Sequence, residues 1–462
     1  MDNDQSYIST DESQNEWNTP VEYPRYSRLA EFFILFLWVF LTLEGIFGEY
    51  IRKAFDAGNI WWTHLTRWNL FPSELLFYNP IFLLLCVIII VKGRAWGYKT
   101  NRGIFLLLII MGLGIAGALH GKLAGAPGNF WLADLRQSVL GAFIVPIIVI
   151  LASSIRLSMV LGRFCKLCVI LGIWNGMIGA LTFAGVLEES SWMAVSWRGE
   201  YILILAYIIL ATRAIVVGKT AIFSLLAIGF GIIVPFHKPT IATFVFANLF
   251  LITLTFLASK RLGAMVYLRS IKMIIFAAIF GAMLVPWIFT LGQGRGREYF
   301  ETKYLKLQNT AASRDLTGRR FEIWSWGIEE WKKNPVFGTG FGFWIQTDTA
   351  EGGIRYVPVH NLLVSWLYQL GLVGLSIAVI VMLVWIFRMV HYFKFCDLSD
   401  IGNYWNLLGV FGWVLTMTWA NLYGVVIGSI HLQLFFFMCI GFLSNAEAQH
   451  YMVVTSSQQD DS

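Results

Sequence analysis

Between residues 295 and 361 the chain gathers side chains that bind anions and move protons. Arg295, Arg297, Lys303, Lys306, Arg314, Arg319 and Arg320 stand against only Glu298, Glu301 and Asp315. A guanidinium stays charged and forks onto two oxygens, so this excess suits a phosphate or diphosphate group. The plainer reading of most of these cations is contact with lipid headgroups or with the acids of the same segment. His360 follows Pro358 and precedes Asn361 at the head of an apolar run from Leu362 to Phe387. Proline close to a first turn marks a helix start. An imidazole beside the positive end of a helix is held neutral near pH 7, the form a general base needs to take a proton from a hydroxyl. The alternative is an interfacial histidine that anchors the helix.

Two elements must position these residues. From Arg320 to Lys333 the apolar residues Phe321, Trp324, Ile328 and Trp331 recur at helical spacing among Glu322, Glu329, Glu330, Lys332 and Lys333. This predicts a short amphipathic helix at the membrane interface, where tryptophan prefers to sit, capped by Thr317 or Asp315 and ended by Asn334-Pro335. The turn that follows carries Gly338, Gly340 and Gly342. It lacks the Lys and Ser or Thr of a P-loop and is not framed by strand and helix, so close packing on the membrane helices explains it better than a phosphate cradle.

A mean hydropathy of +0.65 with 57% hydrophobic and only 13% charged residues excludes a soluble globular domain, in which about a quarter of residues are charged. Apolar runs of roughly 20 residues cross a bilayer, and about twelve of them predict an all-α, polytopic fold. They centre near residues 39, 83, 111, 146, 175, 207, 228, 248, 280, 375, 414 and 436. With the N-terminus inside, the inner loops hold Lys92, Arg94, Lys99, Arg102, Arg156, Arg163, Lys166, Lys260, Arg261, Arg269, Lys272, Arg388 and Lys394, while the short outer loops are poorer in Lys and Arg. The expected organisation is a disordered cytoplasmic tail over 1–28, membrane helices over 29–291, one external loop over 292–358, membrane helices over 359–446 and a tail over 447–462. The tail before the first apolar run is acidic and has no basic n-region, unlike a cleaved signal peptide.

Arg320 and Trp324, then Asn334-Pro335-Val336-Phe337-Gly338-Thr339-Gly340-Phe341-Gly342, then His360-Asn361 and Leu370-Gly371-Leu372-Val373-Gly374 form an ordered set. That order resembles the C-terminal signature of the O-antigen ligase and O-antigen polymerase family. The resemblance implies a GT-C-like, inverting, metal-independent glycosyltransferase of the cytoplasmic (inner) membrane. Its donor would be an undecaprenyl-diphosphate-linked saccharide and its acceptor a growing glycan or the lipid A core, as in lipopolysaccharide and other surface polysaccharides. It further implies that Arg320 holds the diphosphate, with Arg319 as its near competitor, and that His360 activates the acceptor. The family also has an upstream arginine after a serine. Arg261, in Ser259-Lys260-Arg261, fits that pattern better than Arg213, although the charge pattern puts Arg261 on the inner side.

Other chemistries have less support. Cys165 and Cys168 have CxxC spacing but no second pair, and read as membrane-embedded thiols. His64, His120, His237, His360 and His431 are scattered, so neither a metal nor any other cofactor is expected. Glu188, Glu189 and Glu200 read as solvated loop charges. Without a solvated basic domain, nucleic acid is not an expected partner. A flippase or other transporter is the rival reading by helix number, but paired repeats and midplane ionisable sites are not visible in the sequence.

Overall fold

The structure is a computed structural model that describes Leu35 and residues 67–68, 75–76, 102–127, 130–132, 134–135, 157–183, 186, 197–218, 221–234, 238–290, 320–348, 354–357, 359, 361–396, 401–423, 432 and 435–447. Its helices are α1 (Arg102–Leu123), α2 (Leu157–Phe183), α3 (Trp197–Val216), α4 (Ile222–Ile233), α5 (Lys238–Leu262), α6 (Ala264–Thr290), α7 (Arg320–Lys333), α8 (Leu362–Phe395), α9 (Ile401–Tyr423) and α10 (Phe435–Glu447). Two short antiparallel ribbons join them: β1 (Arg67–Trp68) with β2 (Leu75–Leu76), and β3 (Ile345–Asp348) with β4 (Ile354–Val357). The second ribbon pairs Ile345 with Val357 and Asp348 with Ile354 inside the expected external loop; apart from these short ribbons the described fold is helical, as expected.

Helix α3 is apolar on every side and is therefore central, buried from Tyr201 to Val216 except at Arg213. Around it pack α2, α4, α5, α6 and α9. Trp413 on α9 donates its indole N–H to the Tyr201 carbonyl at 2.9 Å. Gly172 on α2 meets Gly231 and Ile228 on α4 so closely that a Cβ would strike backbone, the small-residue contact that lets membrane helices approach. Cys165 and Cys168 are buried in α2 as free thiols, as their apolar setting suggested.

Large apolar side chains face outward on α2 (Ile170, Ile173, Met177) and α8 (Ile380, Leu383, Phe387), a surface suited to lipid and not to water. Among the described residues, Phe105–Leu123, Met159–Leu181 and Leu362–Phe395 are long and apolar enough to cross a membrane. The chain is thus a helical membrane protein. Described helices contain the centres expected near 111, 175, 207, 228, 248, 280, 375, 414 and 436; those near 39, 83 and 146, like both tails, lie outside the described residues.

Several basic residues gather at one end of the bundle. Arg269 at the start of α6 donates to the Val216 carbonyl at the end of α3 at 3.0 Å, and Arg213 lies 5.4 Å from the Trp405 ring at the start of α9. The end of α8 joins them through Phe393, which packs on Tyr404 and Phe411. The start of α8 and the end of α1 lie at the other end, with the loop.

Candidate functional site

Helix α7 has the bounds that its pattern predicts, and its last turn closes as expected. Asn334 N–H donates to the Trp331 carbonyl, and the Trp331 indole donates to the Pro335 carbonyl at 3.0 Å. Lys332 and Lys333 pair with Glu329 and Glu330 on the exposed side. The packed face differs from expectation. Ile323, Trp324, Trp326 and Trp331, with Val364 and Phe343, surround the buried pair Val359 and Tyr368, whereas Ile328 points outward. The reason is Gly327, where a Cβ would come within 2.8 Å of Val364; the missing side chain turns this side of α7 onto α8.

The two helices run in the same direction. Gly327 lies against Val364, and eight residues further along each chain segment the Pro335 carbonyl accepts from Leu372 N–H at 2.9 Å. The starts of α7 and α8 therefore share one end of the molecule. Arg320 is the first residue of α7. Asn361 caps α8 in an extended conformation (φ −156°, ψ 119°) and accepts from Val364 N–H at 3.1 Å. His360 and Arg319, together with the Arg320 side chain, lie outside the described residues. The capping candidates Thr317 and Asp315 and the cations from Arg295 to Arg314 do so too.

Helix α8 is not the continuous helix its apolar run suggests. It breaks at Gly371 (φ 67°, ψ −172°), and the Gly-rich loop fills the break by exchanging main-chain bonds with it. Leu372 and Val373 donate to Pro335 and Val336 in place of the carbonyls one turn back, at 2.9 and 3.2 Å. The released carbonyls of Tyr368 and Gln369 accept from Thr339 and Gly340 at 2.8 and 2.9 Å. These four exchanged bonds pair the Leu372 and Val373 N–H groups and the Tyr368 and Gln369 carbonyls that the break would otherwise strand. Gly338, Gly340 and Gly342 all have positive φ, and each approaches another backbone too closely for a Cβ: Gln369 and Gly371, Gly121, and Trp131 respectively. The glycines are a packing device, as their sequence context indicated.

The other wall of this seat comes from α1 and the segment after it. Phe341 N–H donates to the Gly117 carbonyl at 2.9 Å, and His120 Nε2 lies 3.3 Å from the Gly338 carbonyl. Phe130 stacks on Trp344 at 4.6 Å between centroids. Asp134 collects three donors on Oδ2: Gly342 N–H at 2.8 Å, and the Trp344 indole and the Gln369 amide each at 3.3 Å. Burial pushes the Asp134 carboxyl up to about 6, with the bonds from Gly342, Trp344 and Gln369 pulling the other way. Tyr368 adds a bond from its hydroxyl to the Phe343 carbonyl at 2.9 Å.

No known family matches the chain, and no curated protein matches it. Its reading rests on its own geometry.

Arg261 is not brought to this site. It lies near the end of α5, a short turn before Arg269, at the end of the bundle where α3 finishes and α9 begins. From Gly371 to Phe393 on α8 the helical rise amounts to about 33 Å, a full membrane thickness. Arg213 shares that distant end. Glu200 also departs from expectation. It is buried in the first turn of α3, hydrogen-bonded to Thr240, and not a solvated loop charge. Asp134, Gln369 and His120, which the sequence did not single out, organise the loop seat. Their only signal is a polar side chain at the edge of an apolar run.

Proposed function

We propose that this chain is a membrane glycosyltransferase that transfers or polymerises undecaprenyl-diphosphate-linked saccharides at the outer face of the cytoplasmic membrane. The observation that carries this reading is the parallel alignment of α7 and α8. Two helix N-termini, each a positive dipole end, lie toward the same end of the molecule, and α7 begins with Arg320. An anionic diphosphate leaving group is the natural ligand of such a place. In this reading Arg320, with Arg319 next to it, binds the diphosphate of the donor. His360, immediately before the Asn361 cap, takes the proton from the acceptor hydroxyl as its oxygen attacks the anomeric carbon from the face opposite the diphosphate. The diphosphate departs with the bonding electrons, and the anomeric configuration inverts.

The break in α8 favours an enzyme over a transporter. In transporters a broken helix near the midplane leaves carbonyls free to hold an ion. Here the break lies at one edge of the apolar stretch, between Gln369 and Arg388, and its carbonyls are already bonded to the loop.

His360→Ala and Arg320→Ala are the direct test. Each is expected to abolish glycan transfer in reconstituted membranes while the protein remains at its normal level and mobility. Full activity in His360→Ala would remove the assigned base. In cells lacking the chain, carrier-linked single units indicate a lost polymerase and carrier-linked long chains a lost ligase.

A further inference from the structure

The tip of the Gly-rich loop is apolar and uncovered. Phe337 is 68% exposed and Val336 48%, although the loop on both sides of them is fixed by main-chain bonds. Their neighbours across the α8 break, Leu372 and Val373, are 48% and 42% exposed. These two open the apolar stretch of α8, whose outward side continues through Ile380, Leu383 and Phe387. The Val336 carbonyl bonded to Val373 N–H sets the loop tip level with the first turn of that stretch. One turn before the tip stand Lys332 and Lys333, both exposed, at the position where cations reach phosphate headgroups above inserted apolar side chains.

We propose that Val336 and Phe337 insert into the outer leaflet and contact lipid acyl chains, so that the loop is a membrane-dipping element continuous with the lipid face of α8. The occupant is lipid because the patch extends an apolar face already committed to the bilayer, and because the Pro335 and Val336 carbonyls and the Gly338 N–H around it are already bonded within the protein, which lowers the cost of leaving water. A partner protein would have to displace lipid from the α8 face to cover the same residues. The inference does not depend on the glycan chemistry.

A nitroxide on Phe337→Cys, in a background with the five native cysteines replaced by alanine, reads the depth directly. In vesicles of phosphatidylcholine and phosphatidylglycerol, collisions with oxygen are expected to exceed those with a water-soluble nickel chelate several-fold, as at Phe387→Cys, and the ratio to reverse at Lys333→Cys. A label at 337 as accessible to the chelate as the one at 333 overturns the proposal. If the cysteine-free chain does not reconstitute, p-benzoylphenylalanine at 337 in the otherwise natural chain serves instead. Phospholipid adducts on illumination support insertion. Their absence at 337, with adducts present at 387, overturns it.

Discussion

Asp134 shows how one side chain can hold three elements together. Its Oδ2 accepts from the loop (Gly342), from the start of β3's approach (Trp344) and from α8 just before its break (Gln369). Burial nevertheless raises its proton affinity to a midpoint of about 6, against about 3.9 in an undocked, solvated loop. A carboxyl whose folded pKa is raised costs stability when ionised. The penalty is absent below about pH 4, grows as pH rises to 6, and is then constant at on the order of 3 kcal/mol. The loop should therefore be held more firmly at pH 5 than at pH 7.5. Amide exchange at Gly340 and Gly342, corrected for intrinsic rates, is expected to be slower at pH 5 than at pH 7.5 in the natural chain. In Asp134→Asn, which keeps an acceptor but cannot ionise, it should not change with pH. An identical pH response in the two proteins would show that another group governs the docking. Asp134→Ala removes the acceptor altogether and, with roughly 1–3 kcal/mol for each stranded buried donor, should release the loop at every pH.

At the scale of elements, the broken helix and the glycine loop are one structure, since neither is satisfied without the other. Gly371 and Gly340 are the positions to test. A Cβ at 371 would meet Val336 and Gly338, and one at 340 would meet Gly121 and the His120 carbonyl carbon at 2.8 Å. Left-handed backbone adds about 1–3 kcal/mol for a residue other than glycine. Gly371→Ala and Gly340→Ala are each expected to undock the loop, seen as rapid proteolysis between residues 334 and 348, and to abolish activity. Gly112→Ala, where a Cβ meets open space in a helix, should leave both unchanged. Slow cleavage of Gly371→Ala at the natural rate would mean that α8 can close without the loop. The sequence made part of this legible. The alternation of Trp and charge over Arg320–Lys333 fixed the bounds of α7 because a short surface helix is specified by local periodicity and a proline stop. The break at Gly371 was not legible, since Leu-Gly-Leu-Val-Gly continues an apolar run and only the distant Pro335–Gly340 backbone supplies the bonds that make breaking tolerable. The β3–β4 ribbon was missed for a related reason: its four-residue strands depend on pairing across the loop, not on a pattern within either strand.

Across the whole molecule, two ends of different chemistry are held apart by the length of α8. One carries the end of α1, the starts of α7 and α8 and the Asp134 seat. The other carries Arg213, Arg269, Arg388 and Lys394, with Arg388 paired to Glu447 at 2.7 Å. Charge counting along the sequence expects the last three of these in inner loops, and the fold gathers them at one end of the bundle. Helices of about 20 residues that alternate direction sort alternate loops to opposite ends in this way. Arg261 lies at this same end of the bundle, away from the seat of the loop. Orientation then becomes a single measurement on two positions. In the cysteine-free background, Lys332→Cys on α7 should react with a membrane-impermeant maleimide added to intact cells, or to spheroplasts where an outer membrane blocks access. Lys394→Cys at the end of α8 should react only after the membrane is opened. Labelling of both from outside would mean that α8 does not cross. Labelling of 394 alone would turn the loop toward the cytoplasm, where a carrier-linked donor facing the cell exterior cannot reach it, and the proposed transfer would fail with the orientation.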